Sequence, residues 1–272
     1  MAVTQAPTSI NKSEGAVTLQ VADRIARVTL SHPGRLNAIT VDMWRQLATV
    51  FRQVAAQPQV RCVVVRGEGG NFAAGADIRE FPHYRNNKAN VVAYHTEILA
   101  PALQAVAQCP HPVIAVIQGV CVGGGLEIAS QCDLRIAARS ARFGVPINRL
   151  GFPMAPDEMR GLLALAGPAV TLELLLEGRV FNADEAFQKG LLTRVVDDDA
   201  LEEHASALAR RLARGAPLAA HINKETVRRL MASSAPLDAA EIDHCFRYAE
   251  SRDHQEGVRA FLAGQAPEFT GE

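Results

Sequence analysis

The chain has 272 residues, 48% of them apolar and 21% charged, which fits a globular α/β protein with a sizeable core and excludes disordered and collagen-like classes. Lys and Arg total 28 against 29 Asp and Glu, a net charge of −1, so no global basic field points to nucleic acid or a membrane surface. Cys62, Cys109, Cys121, Cys132 and Cys245 are widely spaced with no C-x-x-C pair, and no H-E-x-x-H motif is present. That pattern favours free, mostly buried thiols in a reducing, cytoplasmic setting and no metal centre.

Residues 1–15 lack an apolar core and an Arg-rich amphipathic pattern, so they read as a frayed tail and not a signal or transit peptide. Residues 17–30 read as a hairpin, with VTLQV and IARVTL separated by Ala22, Asp23 and Arg24. Thr40 is a suitable N-cap for a helix whose Trp44, Leu47, Phe51 and Val54 share one apolar face. Residues 60–66, 112–117 and 134–138 are apolar runs without alternation, as expected of strands covered on both faces. A helix is expected over residues 90–108. The apolar stretch from Pro112 to Gly125 is broken by Gln118 and glycines and cannot span a bilayer.

The last third is punctuated as helices. Pro168 and Gly178 bracket one; Asn182 with Glu185 starts another, closed by Gly190; Leu201, Ala205, Leu208 and Leu212 mark a third. Further helices are expected over residues 221–231 and 238–263. The expected organisation is a tail (1–15), an α/β core (16–199) and a helical C-terminal region (200–272).

Two glycine-bearing strand exits could carry chemistry. Residues 119–125 (GVCVGGG) lack the Lys-Ser/Thr of a P-loop and the G-x-G-x-x-G spacing of a dinucleotide site. What remains is bare backbone N–H groups at a helix N-terminus, unpaired and at the positive end of the helix dipole, as an oxyanion requires. The other exit, residues 71–78 (NFAAGADI), taken alone reads first as a tight surface turn and second as a close backbone approach to a ligand. Glu127 follows Gly124 by three residues, placing its carboxylate one turn above that N–H. Flanked by Leu126 and Ile128, it is a candidate general acid/base, the alternative being a carboxylate satisfied by a local cap or an Arg.

Residues 72–78 together with 119–127 resemble the two signature segments of the enoyl-CoA hydratase/isomerase (crotonase) superfamily. The resemblance extends to Leu36-Asn37-Ala38, Phe143-Gly144-Val145-Pro146, residues 183–196 and residues 256–261, covering about 17–272. It implies a crotonase-like α/β fold of stacked β-β-α turns with a C-terminal helical trimerisation region, in a homotrimer or hexamer. It also implies that the N–H groups of Ala76 and Gly124 hold the thioester oxygen of an acyl-CoA as it becomes an enolate, coenzyme A being part of the substrate and no separate cofactor being needed. By the same resemblance the backbone near Ala74 and Ile78 meets the adenine, and Arg35 and Arg79 are candidates for the CoA phosphates. Asp77, Gly123, Ile147 and Phe261 fall at substrate-side positions.

Two departures bear on the chemistry. Hydratases of this family carry a second glutamate directly after the proline of the Phe-Gly-x-Pro segment, where this chain has Ile147. Gly264 stands where a basic residue usually follows the terminal Phe. Asp157, Glu158, His83 and Tyr84 are candidates for replacing the lost carboxylate, although each reads first as an ordinary surface residue or helix cap. The expected activity is hydration of a 2-enoyl-CoA to a 3-hydroxyacyl-CoA. Double-bond isomerisation or other enolate chemistry, and an acyl-CoA binding protein with little turnover, are the alternatives.

Overall fold

A computed structural model describes residues 15–272; residues 1–14, most of the expected tail, lie outside the described residues. In chain order the first half comprises β1 (Ala16–Ala22), β2 (Ile25–Ser31), α1 (Val41–Ala55), β3 (Cys62–Gly67), α2 (Phe81–Tyr84), α3 (Lys88–Ala93), a π-helical turn (Tyr94–Leu99), α4 (Ala100–Ala107), β4 (Val113–Ile117), β5 (Val120–Val122) and α5 (Gly124–Gln131). The second half comprises β6 (Leu134–Ala138), β7 (Arg142–Gly144), α6 (Pro156–Glu177), β8 (Val180–Asn182), α7 (Ala183–Gln188), β9 (Arg194–Val196), α8 (Leu201–Ala213), α9 (Pro217–Ala232), α10 (Ala239–Phe246) and α11 (Arg252–Leu262).

The main sheet has the order β1-β2-β3-β4-β6-β9, with only the β1–β2 pair antiparallel. That hairpin turns on Asp23 and Arg24, both at positive φ (52° and 64°), the pair of conformations that suits a two-residue loop between twisted strands. Alternate residues of the parallel strands enter two cores. Val63, Val65, Val113 and Ile117 pack with α1 and α4, whereas Cys62, Val64, Ile114, Val116 and Ile136 meet Leu201, Ala205 and Leu208 of α8. Two-sided burial is why these strands read as unbroken apolar runs. The C-terminal helical region, expected from residue 200, thus gives its first helix to the sheet.

A second layer positions the site. β5 pairs in parallel with β7, which pairs antiparallel with β8. The segment carrying Gly75 lies between this layer and the loop after β2, through bridges Ala73–Cys121 and Ile39–Ala76. Asn37, at φ 55° and buried, fastens that loop: its Nδ2 donates to the carbonyls of Glu68 and Asn71 at 2.8 Å, and its Oδ1 accepts from His32 N at 2.9 Å.

Thr40 caps α1 as expected, accepting from Met43 N at 3.2 Å. Elsewhere the structure departs from the sequence reading. The run expected as one helix over residues 238–263 breaks at Ser251, whose extended backbone (φ −75°, ψ 146°) makes it the N-cap of α11. The segment from Pro168 to Gly178 is the second half of α6, which begins at Pro156 and is interrupted at Gly167 (φ 73°). The helix expected over residues 90–108 contains the π-helical turn. By length and apolar content α6 would suffice to cross a membrane, yet its first turn holds the buried Glu158. All five cysteines are free, four buried and Cys245 half-buried. Among the described residues no three His, Cys, Asp or Glu side chains cluster as metal ligands.

Candidate active site

Two glycine turns face each other beneath the second layer. Gly75 has φ 96° and Gly123 has φ 52° with ψ −121°, conformations that residues with a Cβ avoid. A Cβ built on Gly75 would lie 3.4 Å from the nitrogen of Gly124, and one on Gly124 would lie 3.4 Å from the nitrogen of Ala76, so the two amides are neighbours. The buried ring of Trp44 packs against Gly124, 2.9 Å from that same Cβ position.

The surrounding amides are engaged: Ile39 N donates to Gly75 O (2.7 Å), Asp77 N to Ile39 O (2.9 Å) and Gly123 N to Gly144 O (2.9 Å). The N–H groups of Ala76 and Gly124 donate to no protein acceptor among the described residues. Gly124 opens α5, so its N–H also sits at the positive end of that helix.

Glu127 stands one turn further along α5, 5% exposed, and its carboxyl makes no hydrogen bond with the protein among the described residues. It opens into a cavity of about 100 Å³ that also takes Ala76, Gly124, Arg85, His95, Ile147 and Glu158. Burial, followed by the neighbouring Glu158 carboxyl, pushes the Glu127 carboxyl well above its usual range, with Arg85 opposing. Burial thus favours the protonated form of Glu127, which can give a proton to a substrate carbon and, as the carboxylate, take one back.

Of the residues singled out in the sequence, Ala74, Ala76, Ile78, Gly123, Gly124, Glu127 and Ile147 are brought together around the cavity. Asp77 is buried beside it. It caps the 3₁₀ turn that follows by accepting from Arg79 N at 3.1 Å, and the Arg79 guanidinium folds back on it (Nε to Oδ1 2.8 Å). That pairing holds the Asp77 carboxyl below the usual range and turns both charges toward each other instead of toward the cavity. Arg35 is exposed on its loop, and Phe261, 85% exposed on α11, lies among the C-terminal helices; neither lines the cavity.

Among the four candidates for the missing carboxylate, only Glu158 enters this cavity. Asp157 pairs with Arg160 at 2.9 Å. His83 and Tyr84 pack edge to face, 4.7 Å apart, in a separate depression with Asn86 and Asn90.

Arg85, Tyr94, His95 and Phe152 line the cavity without having been anticipated. The Arg85 guanidinium lies between the rings of Phe81 and Phe152, 4.2 and 4.1 Å from their centroids. Tyr94 and His95 come from the π-helical turn, whose wider winding redirects side chains that a regular α-helix would aim elsewhere. No motif in the sequence marks that turn.

The chain as a whole has close relatives among known proteins. The family model described as enoyl-CoA hydratase/isomerase matches residues 20–272. The chain belongs to that family. It is 33% identical to 1,2-epoxyphenylacetyl-CoA isomerase of Escherichia coli (strain K12), over 91% of this chain and 95% of that protein. It is 30% identical to (E)-benzylidenesuccinyl-CoA hydratase of Thauera aromatica, over 94% of this chain and 99% of that one. A crystal structure of an enoyl-CoA hydratase/carnithine racemase from Magnetospirillum magneticum superposes with TM-score 0.92 at 45% identity, covering 94% of this chain and 96% of that one. The fold is the crotonase fold, and as a family member the protein is an enzyme of hydratase/isomerase type acting on an acyl-CoA thioester.

Proposed function

We propose that the protein hydrates a 2-enoyl-CoA to a 3-hydroxyacyl-CoA through an enolate whose oxygen is held by the N–H groups of Ala76 and Gly124. The observation that carries this reading is the pair of unengaged amides lying together beside the buried carboxyl of Glu127. Donors fixed by the backbone need no reorganisation as charge builds on the thioester oxygen, so they stabilise the enolate more than the ground state. Glu127, whose protonated form is favoured by burial and by a second carboxyl, delivers its proton to Cα.

Isomerisation is the second reading, favoured by one observation: Ile147 lines the cavity and supplies neither acid nor base. Moving a double bond needs only one carboxyl, which removes a proton at one carbon and returns it at another. A chain that binds acyl-CoA with little turnover is the remaining alternative. Incubating the protein with a panel of saturated, 2-enoyl and 3-enoyl acyl-CoAs and identifying products by mass spectrometry separates the three. A 3-hydroxyacyl-CoA from a 2-enoyl-CoA is the expected product; a shifted double bond alone assigns isomerisation, and unchanged substrates with retained affinity assign a binder.

We also propose that the protein forms a homotrimer or a dimer of trimers in the cytoplasm and needs no separate cofactor. Exposed apolar side chains on the C-terminal helices, including Leu230, Phe246, Phe261 and Leu262, support assembly. Sedimentation of the purified chain tests it, a monomer at micromolar concentration being the contrary result.

A further inference from the structure

Adding water to Cβ requires a group that takes a proton from that water, and Ile147 leaves the usual position apolar. A second carboxyl nevertheless faces the cavity. Glu158, in the first turn of α6 and 4% exposed, shares the cavity with Glu127. It is close enough for its charge to act on Glu127.

A carboxyl is seldom buried this deeply without a partner. The partner is His95, from the π-helical turn, whose ring Nδ1 pairs with Glu158 Oε1. The other oxygen, Oε2, makes no hydrogen bond among the described residues. A pair serving only to pin the π-helical turn to α6 would not need to open into the substrate cavity. Arg85 and Tyr94 also face the two carboxyls, Arg85 supplying positive charge.

Resting on the enolate reading above, we propose that Glu158, oriented by His95, is the catalytic base that activates water, in place of the carboxylate lost at Ile147. The Oε2 atom takes a proton as the water O–H bond breaks and the oxygen bonds to Cβ. The π pair of Cα=Cβ moves into the Cα–C1 bond, and the C1=O pair moves onto the oxygen held by Ala76 and Gly124. When that pair returns, the Cα–C1 π pair takes the proton of the Glu127 carboxyl. Water has then been added across the double bond, Glu127 is a carboxylate, Glu158 is an acid, and one proton passing from Glu158 to Glu127 restores the start.

Two reactions of the full-length protein separate the roles: hydration of crotonyl-CoA, and exchange of the Cα hydrogens of butyryl-CoA in deuterated water, which needs the hole and the carboxylate form of Glu127 but no attacking water. Glu158→Gln is expected to lower hydration by about a hundredfold or more while leaving exchange and KM little changed. His95→Ala is expected to lower the kcat of hydration, and His95→Asn, which keeps a donor near the Nδ1 position, to restore part of it. The proposal is overturned if Glu158→Gln hydrates at the wild-type rate, if it loses exchange together with hydration, or if the wild type exchanges but hydrates no 2-enoyl-CoA. A wild type that neither exchanges nor hydrates overturns the enolate reading itself.

Discussion

Buried ionisable groups gather in two regions of this protein and are treated in opposite ways. Where α9 meets the main sheet, Lys224 Nζ pairs with Asp133 Oδ2 at 2.5 Å and donates to His111 O at 2.6 Å, and the same Asp133 oxygen accepts from Val113 N at 2.6 Å. His111 packs there against His221 and is held neutral, burial pushing it down to about 4. In the substrate cavity, by contrast, two amides and the Glu127 carboxyl are left without protein partners among the described residues. Unmade hydrogen bonds cost stability, so a cavity that keeps them on its amides and carboxyl holds them for a ligand, whereas the Lys224–Asp133 pair is satisfied and holds elements together, with His111 Nδ1 and His221 Nε2 beside it buried as neutral nitrogens unpartnered among the described residues. The contrast implies that substitutions in the cavity lose activity and cost little stability, and that substitutions at the α9 seam do the reverse.

The largest effect is expected at Glu127. Glu127→Gln keeps the shape but transfers no proton, so turnover should fall by about 10²–10⁴ with acyl-CoA affinity retained, measured by product formation and calorimetry. The folded state raises this carboxyl's pKa, so it contributes less stability as pH rises above the ordinary carboxylate range. The variant should therefore melt higher than the wild type at pH 8, and the gain should shrink toward pH 5.

Next comes the hole. Gly124→Pro removes one donor and should reduce kcat by about 10²–10³. Because any Cβ there presses on Trp44, folding must be checked by circular dichroism, with Gly124→Ala as the variant that adds the same crowding but keeps the N–H. A folded Gly124→Pro with the kcat of Gly124→Ala would remove that amide from the account.

At the seam, Lys224→Ala leaves Asp133 and the His111 carbonyl short of a donor and should destabilise by about 1–3 kcal/mol in urea denaturation, with unchanged activity per folded molecule. The smallest effect is that of pH. His111 and His221 both have their pKa lowered by burial, so the stability tied to their neutral forms is complete above about 6.5 and is lost as pH falls toward about 4. Hydrogen exchange should show α9 loosening before the main sheet over that interval, and simultaneous loosening would break the comparison.

The cavity's local half was legible in the sequence. The Gly123-Gly124-Gly125-Leu126-Glu127 stretch puts amide and carboxyl on one helical turn, and that geometry survives in any context that keeps the helix. Its distant half was not. His95 and Glu158 meet across a separation of 63 residues, and the π-helical turn that aims His95 leaves no periodic signature. The parallel strands announced themselves because both faces are buried. β5, β7, β8 and β9, with three residues each, are too short to show alternation. The Asn37 latch depends on carbonyls beyond β3, which no local pattern reveals.

Catalysis in this cavity requires that the unengaged amides hold the thioester oxygen. The most direct measurement is the carbonyl stretch of an acyl-CoA labelled with ¹³C at the thioester carbon, recorded by difference infrared spectroscopy on Glu127→Gln, where turnover is slowed. A stretch shifted to lower frequency on binding, and shifted less in the double variant Glu127→Gln/Gly124→Pro, is the expected result; a bound thioester whose carbonyl absorbs as it does in water would contradict it.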